Sequence, residues 1–152
     1  MRVSAKVEYA VRACLVLARL PEGSALSAEA IAARGSLPGK FLETILAELR
    51  IHRLVATQRG PSGGSRLARS ADTISIADII RAVEGPLADV RGERPENITY
   101  PTPDEALATL WVAGRAAMRA VYETTTLGHL VHGQLAPEAA AYLDAPGAWV
   151  TR

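Results

Sequence analysis

Residues 59–70 place three glycines and three arginines in one short segment, RGPSGGSRLARS. Glycine permits positive φ and a close approach of the backbone to another molecule, and arginine adds a permanent charge with planar donor groups. These residue types together favour a loop that meets an anion. The charge of the whole chain and the elements around the loop indicate which anion that would be.

The charge of the chain is divided unevenly along its length. The net charge is only +1, but residues 1–70 hold eleven Lys or Arg against five Asp or Glu, whereas residues 71–152 hold six against eleven. A basic half is typical of a surface that binds nucleic acid, and it is also typical of an ordinary solvated surface. Charge alone leaves both interpretations open.

Three predicted helices precede the loop. The first helix begins after Ser4, and the second runs from Ser27 to Gly35. Gly35 is expected to be the left-handed cap of the second helix. The third helix runs from Ser36 to about Arg53. On a helical wheel the third helix turns Leu42, Ile45, Leu46 and Leu49 inward and Gly39, Lys40, Glu43, Ala47 and Arg50 outward. Two helices joined by a short turn, the second with a polar outer face, indicate a helix-turn-helix.

A β-hairpin is predicted directly after the third helix, with LVATQ and SRLA as strands and RGPSGG as the turn. The predicted fold class is therefore mainly α: a winged helix-turn-helix domain of three helices and a two-stranded wing. In that arrangement the third helix enters a major groove and the wing reaches the next backbone or minor groove. Gly60, Gly63 and Gly64 would allow the tip to approach closely, and Arg59 and Arg66 would meet phosphates or a narrow minor groove.

The second half predicts one more helix of this domain and then a long separate helix. Ser75 and Asp78 are expected to form a capping box at the start of the helix IADIIRAVEG. Residues 87–101 lack periodicity and are expected to be an exposed loop. Thr102, Pro103 and Glu105 predict the start of the next helix. The long helix carries an apolar stripe of Leu107, Leu110, Trp111, Gly114, Ala117, Met118, Val121 and Tyr122. Such a stripe packs either on its own domain or, more simply, on its copy in a second chain.

We therefore divide the chain into a winged DNA-binding domain (1–86), a loop (87–101), a dimerisation helix with a short following helix (102–133) and a C-terminal tail (134–152). No apolar run reaches the ~20 residues of a membrane span and the first residues lack a secretory signal, so we expect a cytoplasmic protein without membrane contact. No catalytic arrangement or Walker loop is recognisable, so we expect no enzyme and no catalytic residue.

Three further residues could carry chemistry. Cys14 lies on the apolar face of the first helix, where we expect a buried thiol in preference to an oxidant sensor. His129 and His132 lie one helical turn apart without a nearby cysteine or carboxylate. We therefore expect surface histidines and no metal site.

Residues 1–132 resemble the Rrf2 family of bacterial winged-helix transcription regulators, through MRVSAKVEYAVRA, KFLETILAELR, RGPSGGSRLAR, SIADIIRAVEGP and the later LW and TTLGHLV. The resemblance implies a homodimer on a near-palindromic duplex DNA operator, with the long helices crossed at the interface. It places Lys40, Phe41 and Glu43 at the major groove, Arg59 at the minor groove, and Arg2, Ser4 and Lys6 near phosphates. Phe41 lies off the outer face of its helix, so a core position is the alternative. For Glu43 the alternative is a contact with the neighbours of Ala47 or with solvent.

The expected sites are two sets of residues. The DNA-binding set is Arg2, Ser4, Lys6, Gly39, Lys40, Phe41, Glu43, Arg50, Arg59, Gly60, Ser62, Gly63, Gly64 and Arg66. The dimerisation set is Leu107, Leu110, Trp111, Gly114, Met118, Val121 and Tyr122. The expected function is a sequence-specific regulator, with repression favoured, whose small-molecule or protein effector the sequence does not identify. The alternative is a winged helix for protein association, which would bind without a steep salt dependence.

The sequence departs from the family in one loop. Many relatives hold an iron–sulfur cluster on three cysteines between the AVEGP helix and the dimer helix, whereas this chain has RGERPENITYPTP there. Thiolates are the usual ligands of such clusters, so we expect no cofactor. Glu8, which matches a noncysteine ligand position of certain relatives, is expected to pair with Arg12 one turn later.

Overall fold

The structure is a computed structural model and describes residues 3–151. Its helices and strands in chain order are α1 (Ala5–Ala18), α2 (Ala28–Gly35), α3 (Gly39–Ile51), β1 (Val55–Gln58), β2 (Gly64–Leu67), α4 (Ile76–Glu84), α5 (Ala106–Tyr122), α6 (Leu127–Val131) and α7 (Pro137–Ala140). The two strands pair antiparallel. The fold is a winged helix-turn-helix followed by a long helix, as predicted. None of the helices in this range combines the length and apolarity that a membrane span needs.

The core of the winged domain forms where α1 packs against α2, α3 and α4. The hydroxyl of Ser4 caps α1 by accepting from the backbone N–H of Val7 at 3.2 Å, as its position predicted. All four predicted inward residues of α3 are buried: Leu42, Ile45, Leu46 and Leu49. Burial of an aliphatic side chain of this size contributes roughly 1.5–3 kcal/mol, so this face holds α3 firmly against α1.

The turn between α2 and α3 differs from the prediction at one residue. Gly35 is the last helical residue of α2, and Ser36 takes the left-handed conformation with φ 49° and ψ 49°. A Cβ on Gly35 would lie 3.0 Å from the side chain of Leu37 and 3.3 Å from that of Val16. The expected left-handed cap at Gly35 is therefore wrong, and a side chain there would require Leu37 and Val16 to shift by a few tenths of an ångström.

The predicted capping box of α4 is confirmed. The N–H of Asp78 donates to the Ser75 hydroxyl at 3.0 Å, and the N–H of Ser75 donates to the Asp78 carboxylate at 3.2 Å. The following loop is less exposed than expected, because Pro95 and Ile98 are buried next to a 3-10 turn at Pro95–Asn97. These two apolar residues anchor the loop that leads from α4 to α5.

The long helix α5 begins at Ala106, later than predicted. Thr102 does not cap it, because its hydroxyl donates to the carboxylate of Glu105 and no side chain caps the helix start. None of the residues of α5 is buried within the single chain. The tail is packed in part, since Ala136 and Ala139 at α7 are buried.

Candidate nucleic-acid interface

The outer face of α3 is exposed, as the helical wheel predicted. Gly39, Lys40 and Glu43 are exposed and Arg50 is half-buried. Phe41 is 58% exposed, so the alternative of a core position is wrong for this residue. The first two turns of α3 therefore present a cation, a carboxylate and an aromatic ring to solvent. These three groups can contact phosphate, a base amino group and the methyl group of thymine.

The wing is a regular hairpin whose tip lies between two paired residues, Gln58 and Gly64. Arg59, Gly60 and Ser62 at the tip are exposed, and Gly60 has a φ of +110°. This φ is one that residues other than glycine rarely adopt, so Gly60 is required for the turn itself. The turn at Gly60 leaves the neighbouring Arg59 exposed at the tip of the wing.

The other two wing glycines approach the protein's own backbone. A Cβ on Gly63 would lie 2.5 Å from the carbonyl oxygen of Gln58, and a Cβ on Gly64 would overlap the carbonyl group of Leu26. The sequence predicts that these glycines let the tip approach DNA, whereas the structure shows that they let it approach the backbone of the protein itself. Gly63 and Gly64 are glycine because the hairpin closes on itself and against the loop before α2.

This contact ties the wing to the helix-turn-helix. The N–H of Leu26 donates to the carbonyl of Ser65 at 3.0 Å, and the N–H of Ser65 donates to the carbonyl of Leu26 at 2.7 Å. The Ser65 side chain is buried at this point. These two hydrogen bonds therefore hold the base of the wing against the segment that leads into α2.

Lys6 has a different role from the one expected near phosphates. Its ammonium donates to the Glu48 carboxylate at 2.9 Å and to the carbonyl of Val83 at 2.7 Å, which joins α1 to α3 and to the end of α4. Because two internal acceptors engage this ammonium, we expect Lys6 to join the helices in place of the phosphate contact. Ser4 caps α1, and Arg2 lies outside the residues that the structure describes.

Three exposed cations lie on α3 and the wing. In residues 3–151, the cations that form ion pairs are Lys6, Arg12, Arg69, Arg81, Arg115 and Arg119. The predicted pair of Glu8 with Arg12 is among them, at 3.0 Å. Lys40, Arg59 and Arg66 are exposed and form none within that range. Their charge is therefore available to an external anion.

The apolar stripe of α5 is exposed in the single chain. Leu110 is 56% exposed and Trp111 is 39% exposed. Leu107 and Gly114 are also exposed. The last part of the stripe is half-buried, at Met118, Val121 and Tyr122. The indole N–H of Trp111 donates to the hydroxyl of Tyr100 at 3.1 Å, which fixes the ring at the surface. A contiguous apolar surface of this kind on a small domain is typical of a protein interface.

The structure shows where Cys14 and the two histidines, His129 and His132, lie. Cys14 is fully buried, as expected, and burial raises the pKa of its thiol to about 12. Nδ1 of His129 accepts from the N–H of Thr126 at 3.1 Å, so His129 belongs to the capping box of α6, and His132 is exposed. No group of three or more His, Cys, Asp or Glu suited to a metal occurs in the described part of the chain.

Comparison with known proteins identifies the family. The model of the Rrf2 family, described as "Iron-dependent Transcriptional regulator", matches residues 3–133. The chain belongs to the Rrf2 family. Its members are DNA-binding transcriptional regulators and not enzymes, as the resemblance implied.

Individual relatives support the same assignment. The chain is 46% identical over 143 residues to Rv1287 of Mycobacterium tuberculosis, which bears the name of a helix-turn-helix-type regulator, and the match spans 94% of this chain and 88% of the relative. The structure of CymR, the global cysteine regulator of Bacillus subtilis, has a TM-score of 0.74 at 30% identity and covers 88% of this chain and 98% of its own. IscR of T. potens has a TM-score of 0.71 at 28% identity, with 88% of each chain covered.

The residues of this chain do not fit the iron in the family description. The loop between α4 and α5 contains no cysteine, and Cys14 is the sole cysteine of the chain. Its buried thiol with a raised pKa is protonated at neutral pH, whereas a cluster ligand is a thiolate. An iron–sulfur cluster held by this family's loop has no ligands here.

Proposed function

We propose that the protein is a homodimeric repressor that binds a near-palindromic operator through α3 and the wing and carries no iron–sulfur cluster. The observation that supports this most strongly is the set of exposed, unpaired cations on consecutive elements, Lys40 on α3 and Arg59 and Arg66 on the wing. Phosphate contacts by such cations supply most of the affinity for DNA. The wing that carries two of them is joined at its base to the segment before α2 by the hydrogen bonds between Leu26 and Ser65.

The outer face of α3 would read base edges in the major groove. Lys40 would contact a phosphate or guanine, Glu43 would accept from a cytosine amino group, and Phe41 would contact a thymine methyl group. Gly39 lets the start of α3 approach the DNA without a side chain between them, and Arg50 would reach a phosphate from its last turn. Ser4 and Arg2 remain proposed phosphate contacts at the start of α1.

The wing would contact the adjacent minor groove and backbone. Arg59 at the tip has the length and charge to enter a narrow minor groove, where the negative potential is strongest. The Ser62 hydroxyl and the exposed Gly60 backbone at the tip would donate to phosphates. Arg66 lies on β2 with its guanidinium donating to the Leu67 carbonyl at 3.2 Å, and it would add charge along the backbone.

Dimerisation through α5 would set the distance between the two reading surfaces. Among the described residues, the first part of the stripe, from Leu107 to Gly114, is left exposed, whereas Met118, Val121 and Tyr122 are half-buried. A twofold dimer matches an operator with two inverted half-sites one or more helical turns apart. We therefore expect binding to depend on the association of two chains.

The test measures binding of the full chain to duplex DNA over a range of salt concentrations, for the wild type and two arginine variants. Arg59→Ala should weaken binding by roughly 1–3 kcal/mol if Arg59 enters a groove. Arg91→Asn is the matched control, since Arg91 is exposed in the second half of the chain and has a φ of 57°, which asparagine tolerates. Equal affinity of all three proteins would remove Arg59 from the interface, and affinity insensitive to salt would favour protein association instead.

A further inference from the structure

A cleft of about 500 Å³ lies between the end of α4, the loop that follows it, and α5. Four arginines line it: Arg81 from α4, Arg94 from the loop, and Arg115 and Arg119 from α5. The chain from Pro86 to Ala88 forms an apolar wall beside them. This volume is in the range of small-molecule sites, and its lining joins the winged domain to the proposed dimerisation helix.

The cleft has an excess of positive charge. Arg81 and Arg119 both pair with Glu123, and Arg115 pairs with Glu96. Arg94 forms no ion pair among residues 3–151. Four guanidinium groups thus face two carboxylates.

The two carboxylates stay ionised, so they do not change this balance near neutral pH. The hydrogen bond from Arg81 lowers the pKa of Glu123, and a backbone hydrogen bond together with Arg115 lowers the pKa of Glu96. Guanidinium groups remain charged at any physiological pH. Among the lining arginines and their ion-pair partners, four positive charges therefore face two negative charges.

The composition of this half of the chain makes the cluster unusual. Residues 71–152 are acidic overall and hold only six basic residues, of which four line this one cleft. Three of the arginines share two carboxylates, whereas Arg94 forms no ion pair in the described range and contributes only at a distance to the lowered pKa of Glu96. An external anion would complete the pairing.

We propose that this cleft binds a small metabolite with two or more anionic oxygen groups, either a polycarboxylate or a phosphate ester. Arginine suits both because its planar donor groups match carboxylate and phosphate geometry. The wall at Leu87 would contact the short carbon body of the ligand. The site has no thiolate, so its chemistry is unrelated to that of an iron–sulfur cluster.

Such a ligand would connect the two parts of the molecule. An anion held by Arg81 and by Arg115 or Arg119 joins α4 to α5, and so favours one position of the winged domains relative to the dimer helices. A ligand changes DNA affinity only to the extent that it binds the two arrangements unequally. This regulatory step rests on the proposed function, whereas anion binding does not.

The experiment is calorimetric titration of the full chain, without DNA, with citrate and separately with glycerol 1-phosphate at constant ionic strength. We expect saturable binding of at least one probe. Arg94→Gln, which breaks no ion pair in the described residues, should weaken it by roughly ten- to a hundredfold, the loss expected for a charged hydrogen bond. Arg91→Asn, in the same loop but outside the cleft lining, should bind like the wild type.

The two probes distinguish the ligand classes. Binding of citrate alone identifies a polycarboxylate site, and binding of the phosphate ester alone identifies a phosphate site. Absence of saturable binding of both below about 10 mM, or equal affinity of Arg94→Gln and Arg91→Asn, would overturn the proposal. Because no DNA is present, failure to bind an operator cannot be mistaken for failure of the anion site.

Discussion

Replacing Gly64 in the wing with alanine should destabilise the protein through one identified contact. Gly64 has a φ of +147°, and a Cβ there would overlap the carbonyl group of Leu26. The loop before α2 would have to move away from β2. That movement would stretch both hydrogen bonds between Leu26 and Ser65, which are 3.0 and 2.7 Å long.

The size of the effect follows from these two costs. A residue other than glycine at such a φ costs roughly 1–3 kcal/mol. Loss of two backbone hydrogen bonds adds about 1–3 kcal/mol. The free energy of unfolding should therefore fall by roughly 2–6 kcal/mol, which lowers Tm by about 5–20 °C for a chain of this size.

The assay is thermal unfolding followed by far-UV circular dichroism, with Gly60→Ala as the matched control. Gly60 also has a positive φ, +110°, but a Cβ there meets nothing within 4 Å. It carries the conformational cost without the collision, so its Tm should fall less. If Gly64→Ala and Gly60→Ala unfold at the same temperature, the contact with Leu26 does not hold the wing in place.

Four further outcomes are expected. Cys14 should resist a thiol reagent in the native protein at pH 8 and react once the chain is unfolded, because its pKa is raised to about 12; rapid native labelling would contradict its burial. Leu110→Glu should convert a dimer to a monomer in sedimentation velocity, whereas Ala113→Glu, which lies off the apolar stripe, should not. Lys40→Met should reduce the slope of log affinity against log salt by about 0.9 for one lost phosphate contact. Lys6→Met should leave that slope unchanged and lower stability by roughly 0.5–1.5 kcal/mol; a reduced slope would return Lys6 to the DNA surface.

Features that depend on neighbouring residues could be predicted from the sequence. The buried face of α3, with Leu42 and Leu46, follows from a repeat of 3.6 residues because one side of an amphipathic helix meets the core. The capping box of Ser75 and Asp78 follows from two residues three positions apart. The wing strands follow from a turn-forming segment between two short β-prone runs. In each case the interacting groups are close in the chain.

Features that depend on distant residues could not be predicted. The sequence predicts Lys6 at a phosphate, but its partner Glu48 is 42 residues away and becomes adjacent only when α1 packs on α3. Gly64 is glycine because of Leu26, which lies far earlier in the chain. Gly35 satisfied the pattern of a helix cap, yet close packing and not backbone conformation explains it. The arginine cleft likewise draws on α4, a loop and α5.

The central claim, that two copies of α3 and the wing bind duplex DNA across a twofold axis, is tested most directly by selection. Duplexes that bind the full chain would be selected from a random library at about 150 mM salt, where charges are screened as at physiological ionic strength. We expect an enriched inverted repeat whose half-sites are about 10 base pairs, or a multiple of that, apart from centre to centre. Recovery of no enriched sequence, or of a single half-site without its inverted copy, would contradict the claim.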